Sequence, residues 1–257
     1  MEAYPLIFLI GITVGFVSTV FGIGGGIIMV PLLSLLFSMS HLEAIATSLA
    51  TIVFVTIFNT LNFQRKGVIV WSIVPWIAGP SICFAIISAR LSLILPTQIL
   101  IIIFLVFLFY LAIHTFLIKE ICTRNINTKI KSILSTGIGV LSGTFSGFTG
   151  IGGGGITTPV ILITGLANNI QAAPTSNAIM MFTAFFASLS YAIADFHTKN
   201  IFILGYIHTD ISFLLFLGGA TFSRIGVKIN EFIPLSWRKT GLAIILLLVG
   251  IRFILFS

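Results

Sequence analysis

Long apolar runs separated by short polar connections make up almost the whole chain. In the first half they cover 3–21, 26–38, 44–63, 68–89 and 97–118; in the second they cover 132–149, 155–167, 171–194, 201–223 and 239–256. Most reach the roughly 18 residues that a helix needs to cross about 30 Å of hydrocarbon. No stretch keeps the strict apolar–polar alternation of a β-barrel strand. The pattern predicts an all-α, polytopic membrane protein with 8–10 helical membrane segments. The runs 26–38 and 155–167 are shorter than a crossing, since a rise of about 1.5 Å per residue takes them only about 20 Å. Each is expected to form a hairpin with the run before it, with a cluster of glycines at the apex.

Those clusters recur. A displacement of 128 residues lays Gly22-Ile23-Gly24-Gly25-Gly26 on Gly150-Ile151-Gly152-Gly153-Gly154 and Pro31 on Pro159. The same displacement puts Gly15 on Gly143, Ser18 on Ser146, Ala44 on Ala172 and Thr47-Ser48 on Thr175-Ser176. An insertion then changes it to 138, where Gly67 meets Gly205, Arg90 meets Lys228 and Pro96 meets Pro234. Matches of Ile, Leu and Phe are cheap in membrane sequences, whereas shared Gly, Pro and Thr-Ser positions are not. The chain reads as a duplication, with an N-terminal transmembrane repeat over 1–122 and a C-terminal one over 123–257.

Composition narrows the class. Of 257 residues, 58% are hydrophobic and 7% charged, and the mean hydropathy of +1.20 lies far outside the range of a water-soluble domain. The acidic start, Met1-Glu2, is unlike the basic start of a signal peptide, so the first apolar run is expected to stay in the membrane. A net charge of +7 could point to nucleic acid, but the Lys and Arg sit in connections rather than on an aromatic-interleaved surface. They act instead as a topology signal. A hairpin returns the chain to its starting side, and three further crossings make each half odd, so the second repeat is expected to run opposite to the first. One face then carries ten basic residues: Arg65, Lys66, Lys119, Arg124, Lys129, Lys131, Arg224, Lys228, Arg238 and Lys239. The other carries Arg90, Lys199 and Arg252. The first face is read as cytoplasmic, with both termini outside.

At the glycine clusters helices stop and leave backbone amides without intrahelical partners. Short helices starting near Gly26 and Gly154 would aim their positive ends at that spot, and glycine lets a ligand approach the backbone. This marks Gly22, Gly24, Gly25, Gly26, Gly150, Gly152, Gly153 and Gly154 as a candidate anion site; the alternative is that they only let helices pack closely. Thr47, Ser48, Thr175, Ser176 and Asn177 could hydrogen-bond a ligand's oxygens, or bond neighbouring helices, or cap their own. Asn59, Asn62 and Gln64 lack counterparts in the second half and read as interhelical or interfacial. Asp210, beside His208, is the candidate for proton coupling, against a plain interfacial role. Cys83 and Cys122 have no metal-ligand spacing and receive no role, and neither a metal nor a cofactor is expected.

The paired glycine clusters, with Pro31 and Pro159 and with Ala44-Thr47-Ser48 and Ala172-Thr175-Ser176, resemble the sulfite exporter TauE/SafE permeases over nearly the whole chain. The resemblance implies a multi-pass permease of the bacterial inner membrane, with both repeats forming one transport domain. It also implies a small anionic substrate, often sulfite or an organosulfur anion, moved outward. A passive anion channel is the nearest competitor, because the residues suggest an anion site without a coupling site. An intramembrane enzyme is the other: Ser142-Gly143 and Ser146-Gly147 look like a serine beside glycine, but no base is positioned in sequence. The histidines His41, His114, His197 and His208 fall near segment ends without counterparts in the other half.

Overall fold

The computed structural model describes residues 4–117, 128–194 and 202–234, and after them 236, 237, 240, 241, 243, 244, 246, 247 and 250. The helices are α1 (Tyr4–Phe21), α2 (Gly26–Leu36), α3 (His41–Gln64), α4 (Val74–Ser92), α5 (Thr97–Leu117), α6 (Thr128–Thr149), α7 (Gly154–Ile163), α8 (Asn169–Ala192) and α9 (Thr209–Phe232). The described residues from 236 to 250 are helical as well. Among the described residues α1, α3 and α4 are long and apolar enough to cross a membrane by length and composition. With 11 and 10 residues, α2 and α7 stop partway, about 15 Å from their starts.

Local chemistry sets several boundaries differently from hydropathy. α3 starts at His41 because Ser40 and Glu43 close a capping box, and α8 starts at Asn169 because Asn168 and Gln171 close a second one. α4 starts at Val74 rather than 68, after a turn through Gly67 at φ +66° and with Pro75 in its first turn. The expected run 201–223 divides. A two-residue hairpin, β1 (Ile203–Leu204) antiparallel to β2 (Ile207–His208), precedes α9, and α9 then runs past Arg224 and Lys228 to Phe232. Lys119, Arg124, His197, Lys199, Arg238, Lys239, Arg252, Cys122 and both chain ends lie outside the described residues, as do the side chains of His114, Lys129 and Arg224.

α3 and α8 pack against each other at the centre. α1 lies along α9 and α6 along α4, while α9 also packs on α3 and α4 on α8. Small residues bring these backbones close. A Cβ on Gly11 or Gly15 would collide with the Leu215 or Gly219 carbonyl of α9, and one on Gly139 or Gly143 with the Ile77 or Ser81 carbonyl of α4. The outside is apolar: Phe109 is 70% exposed and Ile133 71%. The inside holds polar side chains, with Ser18, Thr19, Thr47, Ser48, Asn59, Ser146, Thr175, Ser176 and Asn177 all fully buried. An apolar exterior around a partly polar interior is the distribution lipid selects, since it needs no polar surface and penalises unpaired polar groups.

Candidate functional site

Two breaks in the helical chain meet at the centre. After α1, Gly22, Gly24 and Gly25 adopt φ of +68°, +83° and +75°; after α6, Gly150, Gly152 and Gly153 adopt +71°, +80° and +82°. Only glycine enters that region three times in one short turn without strain, which is why the cluster is written in glycine. Gly25 and Gly153 are the N-caps of α2 and α7, and neither has a side chain to cap the first amides. The turns touch across the halves. A Cβ on Gly26 would strike the Gly150 carbonyl oxygen, and one on Gly154 would strike that of Gly22. Ile52 and Met180, on α3 and α8, fill the space between them: a Cβ on Gly152 would lie 3.0 Å from Ile52 Cγ2, and one on Gly24 would lie 3.0 Å from Met180 Sδ.

The hydroxyls picked out in the sequence tie these breaks together. Ser48 Oγ donates to Gly150 O at 2.8 Å, and Ser176 Oγ donates to Gly22 O at 3.0 Å. Thr158 Oγ1 also donates to Gly22 O, at 2.7 Å. Thr47 Oγ1 accepts from the His208 backbone N at 3.1 Å, and Thr175 Oγ1 accepts from that of Val70, also at 3.1 Å. All four Thr-Ser hydroxyls thus reach a backbone group of the opposite half. Pro31 and Pro159 lie inside α2 and α7.

Asn177 reaches further than its neighbours. It joins a buried cluster with Ser18 and Thr19 of α1, Asn59 of α3 and Ser223 of α9, in which Asn59 Nδ2 donates to Asn177 Oδ1 at 3.0 Å. Asn59, expected from the sequence to be interhelical or interfacial, bonds across to α1, α8 and α9, whereas the sequence does not single out Ser18, Thr19 or Ser223 as site residues. The available signal was an amide in the middle of an apolar run, which lipid does not tolerate without a partner.

Near the starts of α3 and α9, His208 Nε2 lies 3.2 Å from Glu43 Oε1. Asp210 follows in the first turn of α9, and its Oδ1 is buried without a hydrogen-bond partner among the described residues. His41, buried, meets the Phe104 ring edge-on. Ser142 Oγ donates to Gly153 O at 3.1 Å and accepts from Thr157 Oγ1 at 2.9 Å, so its partners are structural groups and not a general base. Cys83 is exposed on α4.

Residues 7–253 match the family described as sulfite exporter TauE/SafE. A Haemophilus influenzae protein named "Probable membrane transporter protein" is 31% identical over 262 residues, covering 97% of each chain. A Methanocaldococcus jannaschii protein with a name of the same kind is 27% identical, covering 98% of this chain and 95% of its own. A Bacillus subtilis protein, also named as a membrane transporter, is 24% identical over 98% of this chain. No solved structure matches the chain. With a family match over nearly its full length, and with relatives named as transporters rather than enzymes, this multi-pass membrane protein belongs to the sulfite exporter TauE/SafE family.

Proposed function

We propose that the chain is a secondary transporter that moves a small oxyanion, sulfite or a short organosulfonate, outward across the bacterial inner membrane. The observation that carries this reading is the meeting of two helix N-termini, at Gly25-Gly26 and Gly153-Gly154, with no side-chain cap on either. Uncapped N-terminal amides and the positive dipole end favour an anion, and glycine leaves room for its oxygens to approach the backbone. Two broken helices facing each other at the centre of the bundle follow the general plan of carriers. In this reading Gly22, Gly24, Gly25, Gly26, Gly150, Gly152, Gly153 and Gly154 line the substrate's place, with Thr47, Ser48, Thr175, Ser176 and Asn177 around it. The contacts between the turns represent a closed conformer that opens as the halves rock apart.

The proposal includes an inverted duplication of 1–122 and 123–257. It is supported by the pairwise agreement of the glycine φ values and by the reciprocal bonds Ser48–Gly150 and Ser176–Gly22. The packing of α1 on α9, repeated by α6 on α4, points the same way. The Glu43–His208 pair lies near the start of α9, where Asp210 Oδ1 is buried without a hydrogen-bond partner among the described residues, and this supports Asp210 as the proton-coupling candidate. The test is efflux from sulfite-loaded proteoliposomes, with and without a pH gradient and with competing anions. Saturable efflux that thiosulfate or sulfonates inhibit is the expected result. Efflux no faster than from protein-free vesicles, beside saturable movement of a cation or neutral solute, overturns it, and a rate that rises linearly with concentration assigns a channel instead.

A further inference from the structure

The central helices α3 and α8 run antiparallel, and a short connection sits over each end of the pair. The β1–β2 hairpin lies at the start of α3 and the end of α8, where Tyr206 N donates to Tyr191 O at 3.3 Å. The turn 65–73, which joins α3 to α4, lies at the end of α3 and the start of α8. These connections share three parts at positions 138 apart in the sequence. Gly205 and Gly67 take positive φ, +56° and +66°. Ile207 and Ile69 are both buried. The amide that follows each isoleucine donates to a threonine hydroxyl across the molecule, His208 N to Thr47 and Val70 N to Thr175, each at 3.1 Å.

Each of these threonines stands beside the serine that reaches a glycine break. Thr47 precedes Ser48, which donates to Gly150 O, and Thr175 precedes Ser176, which donates to Gly22 O. One helical turn therefore joins a break to the connection over its end of the bundle. The connections have little stability of their own: a two-residue hairpin is marginal, and the turn closes on short-range bonds such as Gly67 N to Gln64 O. The turn is also tied by Lys66 Nζ to Val227 O at 3.3 Å and by Lys131 Nζ to Ser72 Oγ at 3.4 Å. The hairpin has a different second tie. The capping boxes of α3 and α8 use Glu43 and Gln171 alike, so glutamine suffices for the cap. The Glu43 carboxylate makes a further contact, with His208 Nε2 at 3.2 Å, where the positions matched by the displacements hold Gln171 and Val70. A Cβ on Gly205 would strike Tyr191 O, whereas one on Gly67 meets nothing within 4 Å, so the hairpin is the more closely seated of the two.

We infer that the hairpin 203–208 and the turn 65–73 are the two gates of the carrier, latched by Thr47 and Thr175, with the Glu43–His208 pair as a second clasp on the hairpin. Both latches are closed in the structure. Parting Thr47 from His208 frees the hairpin and leaves the Thr175 latch as it was, so the glycine breaks are reached from one end at a time. An anion that draws Gly150 or Gly22 away from its serine shifts the first turns of α3 or α8, and the neighbouring threonine carries that shift to a gate. The inference rests on the carrier reading, because a gate has meaning only beside a path.

The purified full-length protein, with Cys83→Ser and Cys122→Ser as background, supplies the test. Ile207→Cys and Ile69→Cys serve as reporters, and their reaction with a water-soluble thiol reagent is timed in detergent. Thr47→Val should speed labelling at 207 at least five-fold and leave 69 unchanged, and Thr175→Val should do the reverse. Glu43→Gln, which keeps the cap, should speed labelling at 207 at least two-fold, and it gives the answer if Thr47→Val does not fold. Faster labelling at both positions in one variant, or at neither, overturns the gates. In proteoliposomes, a disulfide formed in Thr47→Cys with His208→Cys, or in Val70→Cys with Thr175→Cys, should cut sulfite efflux at least ten-fold, and a reductant should restore it. Undiminished efflux through the cross-linked protein leaves the carrier and removes the gates. Latch-dependent labelling in a protein that moves no sulfite keeps the gates and removes the substrate.

Discussion

Ser48 and Ser176 make the same bond in opposite halves, yet their loss should not cost the same. Gly22 O accepts from both Ser176 and Thr158, whereas the side-chain donor to Gly150 O is Ser48. A buried acceptor left without a donor costs about 1–3 kcal/mol, and one that keeps a donor costs less. Ser48→Ala should therefore lower the detergent-solubilised thermal midpoint clearly more than Ser176→Ala, and the double variant with Thr158→Val should bring the second site level with the first. The glycines invite a finer substitution than a bulky one. Gly152→Ala places a side chain at φ +80° and 3.0 Å from Ile52, a strain of roughly 1–3 kcal/mol that leaves a folded protein in which the turns no longer fit. Its sulfite efflux should fall at least ten-fold while membrane abundance stays within about two-fold on immunoblot; a variant missing from the membrane would assign Gly152 to packing alone.

At the scale of elements, the helix pairs α1–α9 and α4–α6 depend on glycine faces. Gly143→Leu drives a side chain into the Ser81 carbonyl of α4 and Gly15→Leu drives one into Gly219 of α9, whereas Gly79, with nothing within 4 Å of its added Cβ, should accept alanine with a change below about 0.5 kcal/mol. Unfolding midpoints of the three variants rank these claims. Element boundaries also show what a sequence displays and what it hides. The breaks at 22–26 and 150–154 were legible because positive φ at several neighbouring positions forces glycine, and the glycine cluster occurs twice in the chain. The β1–β2 hairpin was not, because Ile203 and His208 pair through backbone atoms that carry no side-chain signature. Asn59 and its partner Asn177 are separated by 118 positions, so neither residue alone announces the cluster they build.

Across the whole molecule, the charge asymmetry predicts a topology that can be probed at two described turns. Gly67 follows Arg65-Lys66 at the end of α3, and Ile94, 82% exposed, follows α4. In a variant with Cys83 and Cys122 both replaced by serine, a cysteine at 94 should react with a membrane-impermeant maleimide in intact spheroplasts, and a cysteine at 67 should react only after permeabilisation. The reverse pattern would turn the protein over and, with it, the direction of the charge argument.

The lengthwise partnership of α1 with α9 also sets a clock on the making of the protein. The first helix leaves the ribosome roughly 190 residues before the one it must lie against, and at about 5–20 residues per second that interval is on the order of 10–40 s. Throughout it, the notch at Gly11 and Gly15 stands open to lipid or to any other helix that passes. α6 finds α4 already waiting, so the later half has its counterpart at birth and the earlier half does not. Residues 1–122 made alone should be degraded, and when 123–257 are supplied on a separate message the two pieces should rescue each other. The slow step in the life of this protein is then not a turnover but a wait, and a mutation that widens the notch will be read first by the quality-control proteases of the membrane.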